Sequence, residues 1–338
     1  MSRVFLHGLG AVSPAGWGVS ALGKALLENI PLPTQPLVRP GRAQPLHVRR
    51  VPAPASRPSF LAHPRLRRTS PITHFAVAAA AEALGGDAAR VATGELRLGI
   101  IYCAFAGCVS YSRRFYDETL RDPATASPLA FPETVFNAPA SHLAAFFGTK
   151  AVNYTLVGDQ GEFVKALALA ADWLLTGRVD GCLVVGAEES DWLAADALRL
   201  VTPSAVVAEG AGAVYLRTDP GAVELVAVNE PQLFTHVLGR VGAVQKSRAQ
   251  LGGHVEPDFL LVTGAADPTA DKAAEPDWMS RAKRRVSPQA VLGEGLGAAS
   301  AWQTVTAAEG LLRGEAMQAV IDVVGSNEQA VAAVLRRA

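Results

Sequence analysis

The stretch from about residue 160 to 176 has the spacing of a helix, yet it is apolar around most of its circumference. Phe163, Leu167, Ala170, Ala171 and Leu174 recur at helical intervals, with Trp173 on a flank. A surface helix keeps a polar face, so a helix of this kind must be covered on several sides at once. Runs with strand pattern stand on either side of it, at residues 152–157 and 181–185. Strand, buried helix and strand in succession predict a layered α/β fold with helices held between sheets.

The rest of the chain repeats that unit. A strand over residues 4–7 leads through Gly8-Leu9-Gly10 into a helix at about 17–27. Further helices are predicted at about 71–84 and 138–147, with strands at 98–102 and 212–216. The last of these closes a first half near Asp219. A shorter second half carries strands at 225–228, 259–263 and 319–324 and a helix at about 298–312. The chain thus divides into residues 1–218 and 219–338, and two halves with apolar central helices suggest a five-layer αβαβα sandwich. Residues 31–64, rich in proline and basic side chains, predict an irregular surface excursion. The pair Gly8 and Gly10 lacks the third glycine of a dinucleotide fingerprint, because Ser13 stands at its spacing.

Composition narrows the function classes. Hydrophobic residues make up 49% of the 338 and charged residues 18%, which fits a compact protein and excludes a disordered one. Lys plus Arg equal Asp plus Glu at 31 each, so the basic excess of a nucleic-acid binder is missing. The local basic clusters Arg49-Arg50, Arg65 with Arg67 and Arg68, and Lys283-Arg284-Arg285 read as solvated surface or as a dock for an acidic carrier protein. Three cysteines without regular spacing (Cys103, Cys108 and Cys182) argue against a disulfide framework and for a reducing cytoplasm. No Cys/His cluster suggests a metal site. The opening Met1-Ser2-Arg3-Val4-Phe5-Leu6 is too short for a signal segment, and no apolar run reaches membrane-spanning length.

A set of ordered landmarks goes further. Asn137, Gly148, Asn153-Tyr154-Thr155, Gly177, Asp180 and Gly186-Ala187-Glu188 follow one another without a gap. Gly8-Leu9-Gly10-Ala11-Val12-Ser13-Pro14 precedes them. Glu209-Gly210-Ala211-Gly212, then residues 293–299, then Gly325-Ser326-Asn327 follow. In this order the chain resembles the β-ketoacyl-ACP synthases of the thiolase superfamily over nearly its whole length. The resemblance implies the five-layer thiolase-like sandwich.

It also implies where the chemistry would sit. The family uses a cysteine thiolate at a helix N-terminus, where the helix dipole favours an anion. Two histidines assist decarboxylation of the extender unit, and a lysine lies five residues before the second histidine. Here the cysteine position is Gln160, the second histidine Glu294, and the lysine Gln289. The first histidine falls at Thr263 or Gly264, in a stretch from 261 to 267 that holds no histidine. The family's gate phenylalanine corresponds to Val323. Asp159 and Glu162 read as the N-cap and capping-box partner of the helix after Gln160, and two carboxylates there disfavour a malonyl anion. An amide cannot form an acyl-thioester, so the condensing chemistry is expected to be gone.

Glutamine at the cysteine position resembles the chain-length factors, non-catalytic subunits that pair with an active synthase in polyketide and aryl-polyene systems. The resemblance implies a heterodimer with such a synthase, or a homodimer, and an acyl carrier protein whose phosphopantetheine thioester is the possible ligand; no other cofactor is expected. Phe131 and Phe136 lie on the segment that crosses toward the partner in the family, as candidate tunnel or interface groups. A malonyl-ACP decarboxylase is the enzymatic alternative, weakened by the missing histidines. A homodimeric acyl-binding scaffold is the third reading.

Overall fold

The computed structural model describes residues 3–265, 276–326 and 329–338. The first half builds strands β1 (Val4–Ser13), β2 (Leu98–Ala104), β3 (Asn153–Val157), β4 (Gly181–Glu188) and β5 (Gly210–Arg217). The second half builds β6 (Val223–Val228), β7 (Phe259–Ala265), β8 (Ala282–Val286), β9 (Gln318–Val324) and β10 (Gln329–Arg337). In space they run β1-β5-β4-β2-β3 and β6-β10-β9-β7-β8. Each half steps antiparallel, antiparallel, parallel, parallel along that order. The halves are therefore structural repeats of one another. β1 joins β6 through the antiparallel pairs Val4↔Leu225 to Leu6↔Val223.

Helices fill three layers around these strands. α1 (Pro71–Leu84), α2 (Val109–Arg121) and α3 (Ala138–Phe147) belong to the first half, with α1 and α3 against the outer face of its sheet. α4 (Glu162–Leu175) lies in the middle, α5 (Val237–Leu251) against β10 on the outer face of the second sheet, and α6 (Ala299–Leu312) beside α4. α4 and α6 each touch strands of both halves; α6 is buried along nearly its whole length, whereas α4 keeps a solvent-facing stripe of Ala168, Asp172 and Leu175 beside half-buried Lys165. In α6, Trp302 donates its indole N–H to the carbonyls of Val12 and Ala211, both at 3.0 Å. Thr304 and Thr306 return their hydroxyls to carbonyls four residues earlier, so these two buried hydroxyls are satisfied within the helix.

The glycine pair of the first strand serves packing. A Cβ on Gly8 or Gly10 would lie 1.8 Å from the carbonyl oxygens of Ala83 and Ala79 in α1. These glycines let helix and sheet approach at backbone distance, and no phosphate loop is formed.

Several expectations are corrected. Residues 31–64 are not wholly irregular: Gln35–Leu37 and Leu46–Arg49 form a small sheet with Val207–Ala208, burying Leu46 and Val48. Prolines hid the alternation Leu46-His47-Val48, whose apolar residues point inward. The helix expected at 17–27 spans Val19–Glu28, because Gly16–Trp17 pairs with β1. Asn327 and residues 266–267 of the landmark stretches lie outside the described residues. No helix among the described residues is long and apolar enough to cross a membrane.

Candidate functional site

β3 runs into a turn at Gly158, and α4 begins at Glu162, so Gln160 sits just before the helix, 2% exposed. Its side-chain amide is held on both atoms. Nε2 donates to the Ser326 hydroxyl at 2.8 Å, and Oε1 accepts the Ser326 backbone N–H at 3.0 Å. The Ser300 hydroxyl donates to the Gln160 carbonyl. The helix tip is thus tied to the loop after β9 and to the start of α6.

The expected capping box is not formed. Gly161, in helical conformation, is the residue before α4, and no side chain caps it. Asp159 Oδ1 instead accepts the Gly161 N–H at 3.0 Å and Gln329 Nε2 at 2.9 Å, while Oδ2 accepts the Gln329 N–H at 3.3 Å. Glu162 Oε1 accepts Gln329 Nε2 at 3.0 Å and Lys165 Nζ at 2.8 Å rather than turning back to the backbone of Asp159. Gln329, brought in at the start of β10, competes for both carboxylates. No local sequence pattern announces it.

The other residues expected at the site come to the same place from distant parts of the chain. Glu294 is buried and accepts the Leu296 N–H at 2.8 Å. Burial pushes its carboxyl up from the ordinary value; the facing amides of Gln160 and Gln289 and the Leu296 N–H oppose that, and Asp159 adds to it. Gln289 Oε1 accepts Gln303 Nε2 at 3.0 Å. It also fills the space over Gly264, where a Cβ would fall 1.2 Å from Oε1. Thr263 is buried with its hydroxyl unpaired, and Val323 pairs with Gly264 across β7 and β9. Gln160, Glu294, Gln289 and Gln303 therefore form a polar string inside the protein.

Among the described residues no thiol or imidazole hydrogen-bonds to the string. Burial, with Glu162 adding to it, pushes the Cys103 thiol well above its ordinary value, and burial likewise raises Cys108 and Cys182. Such thiols stay protonated and are poor nucleophiles. Of the seven histidines, none hydrogen-bonds to the polar string among the described residues. His142 pairs with Glu133 at 2.9 Å, and His7 meets the Asp219 carbonyl.

Beside the string, Glu188 accepts N–H groups from Phe105 at 2.9 Å, Ala106 at 3.2 Å and Gly297 at 3.2 Å, joining two loops to the end of β4. Burial outweighs those donors and pushes its carboxyl up to about 8. Glu189 next to it receives the Ser70 hydroxyl and the N–H groups of Ile72 and Ser110. Sequence reading used Glu188 only as a landmark; a carboxylate ending a wholly apolar strand was the signal for its role.

Phe131 and Phe136 are 55% and 42% exposed. Phe131 meets the Phe115 ring at 5.5 Å, and Phe136 packs on Gly107. Tyr116, Leu120 and Leu129 are exposed as well. Among the described residues β3 pairs only with β2, leaving its other edge unpaired, with Tyr154 and Val157 half exposed.

Two repeated half-sheets with paired helices between them define a thiolase-like fold. Residues 1–221 match the family described as Beta-ketoacyl synthase, N-terminal domain, and the chain belongs to that family. A search of curated protein sequences finds no match. Among solved structures it is similar to a β-ketoacyl synthase from Burkholderia phymatum STM815, with 16% identity, TM-score 0.81 and all of both chains covered. It is similar to a chain in the complex of a type II polyketide-synthase acyl carrier protein with its ketosynthase bound to the hexaketide, at 15% identity and TM-score 0.80, over 100% of this chain and 99% of that one. It is also similar to the ishigamide ketosynthase/chain length factor, at 19% identity and TM-score 0.79, over 99% of each chain.

Proposed function

We propose that this chain is a non-catalytic β-ketoacyl-synthase-like subunit of the chain-length-factor type, which pairs with an active synthase in polyketide, aryl-polyene or fatty-acid-like biosynthesis. The observation that carries this reading is Gln160. At the helix start where the family places a thiolate, the chain holds an amide bonded to Ser326 and flanked by two carboxylates. Glu294 and Gln289 replace a histidine and a lysine, and their side chains occupy the interior. An acyl group has no nucleophile to receive it and a developing enolate has no cationic donor.

Pairing is supported by the open edge of β3 and by the exposed aromatics of residues 131–136. An unpaired edge is a template for another strand, and Tyr154, Val157 and Phe131 would be covered by a partner. In this reading the carrier protein presents its phosphopantetheine thioester to the partner's cysteine. The exposed Arg65, Arg67 and Arg68 offer a surface to its acidic face.

The test is co-expression with a synthase encoded beside this chain, followed by light scattering. A one-to-one complex is expected, and a homodimer indifferent to the synthase would overturn the pairing. The purified chain mixed with malonyl-ACP is expected to leave it unchanged by mass spectrometry. Acetyl-ACP formation would replace this reading with a decarboxylase.

A further inference from the structure

The amino ends of β2 and β3 lie roughly 20 Å from Gln160, the length of a seven-residue strand. There a cavity of about 570 Å³ opens between the ends of α3 and α4 and the short helix Asp87–Thr93. Arg97, Lys150 and Arg178 line it, no carboxylate does, and Val91, Leu96 and Val152 supply apolar wall.

The two arginines are fixed by different means. Arg97 grips Asp180 through Nη2 at 2.6 Å and Nε at 3.0 Å, a forked pair that sets its plane and cancels its charge. Arg178 instead lies over the Trp173 ring, 5.0 Å from its centroid. A guanidinium held by an aromatic face is positioned while its N–H donors stay free. Among the described residues neither Arg178 nor Lys150 donates to a carboxylate or to a carbonyl of the surrounding helix ends. Two uncompensated cations therefore face one cavity in a chain whose total charge is zero.

We propose that this cavity is a binding site for a small molecule bearing a doubly charged anionic group, a phosphoryl group or a dicarboxylate, on a body that covers the apolar wall. Arg178 and Lys150 take the anion, Arg97 adds a donor at its edge, and a cavity of this size holds a metabolite rather than a lone ion. The site lies at the opposite end of the strands from the polar string, so it does not depend on the proposed function.

Calorimetric titration of the full chain at low salt, with pyrophosphate and separately with succinate, tests this. Saturable binding at one site per chain is expected, weakened about tenfold in Lys150→Gln and in Arg178→Gln, as for loss of one charge-assisted contact. The thermal midpoint of Lys150→Gln, an exposed residue, should stay unchanged, which separates lost binding from lost folding. Preference for pyrophosphate assigns a phosphoryl group, and equal binding assigns dianions in general. Absence of saturable binding, or binding that both variants leave intact while Arg67→Gln abolishes it, would overturn the proposal.

Discussion

The two ends of β2 and β3 are finished in opposite ways. At their carboxyl ends, Gln160, Asp159, Glu162, Gln329 and Glu294 are buried and each is held by hydrogen bonds to protein groups. At their amino ends, Arg178 and Lys150 face an open cavity without a carboxylate of their own. Buried polar groups that lose a partner keep their desolvation cost, whereas exposed charges are screened and weakly coupled. The first arrangement fixes structure. The second leaves charge available to something else.

The contrast can be broken most severely at Asp159. Asp159→Ala strands the Gln329 backbone N–H and one of its side-chain N–H groups inside the protein while the other keeps Glu162, and a loss of about 3 kcal/mol in urea unfolding is expected. A loss below about 1 kcal/mol would show that water reaches the string. Gly264→Ala drives a methyl into the Gln289 amide and should cost about 2 kcal/mol by the same measurement.

Titration gives a further test. Glu188 holds its proton up to about 8 in the folded chain and releases it near 4.5 when unfolded. Its contribution is complete below the unfolded value and is lost as pH rises through about 8, with a slope of at most about 1.4 kcal/mol per pH unit. Unfolding midpoints should therefore decline across that window in the native chain and decline less in Glu188→Gln. A parallel decline in both would assign the effect to other groups.

Two smaller effects sharpen the comparison. Gln160→Cys should place a thiol between two carboxylates, so it should alkylate slowly and support no condensation. Condensing activity in that variant would mean that another group supplies the missing histidines. At the other end, Lys150→Gln should change stability by less than about 0.5 kcal/mol.

Much of this was legible in the sequence, for identifiable reasons. The apolar pattern of residues 160–176 and 298–312 announced helices enclosed by two sheets; α6 is enclosed in that way, whereas α4 touches both halves but leaves Asp172 and Leu175 exposed. Ordered landmarks located Gln160, Gln289 and Glu294, which meet in space although up to 134 residues separate them in the chain. What was not legible depends on tertiary competition. Asp159 and Glu162 have a capping-box spacing, but Gln329 arrives from the far end of the second sheet and takes both carboxylates. Leu46 and Val48 are strand residues only because Val207–Ala208 lies alongside them. The cavity lined by Arg97, Lys150 and Arg178 gathers three segments whose charges look like ordinary surface in sequence.

β10 has a consequence for the order of assembly. It lies in the middle of the second sheet, between β6 and β9, yet it is the latest of the ten strands to leave the ribosome. Until residues 329–337 emerge, β6 and β9 lack the neighbour that joins them, and the two acids before α4 wait for an amide made some 167 residues later. A nascent chain can shape its first half early, but it has to hold a charged, half-built interior until those residues are made.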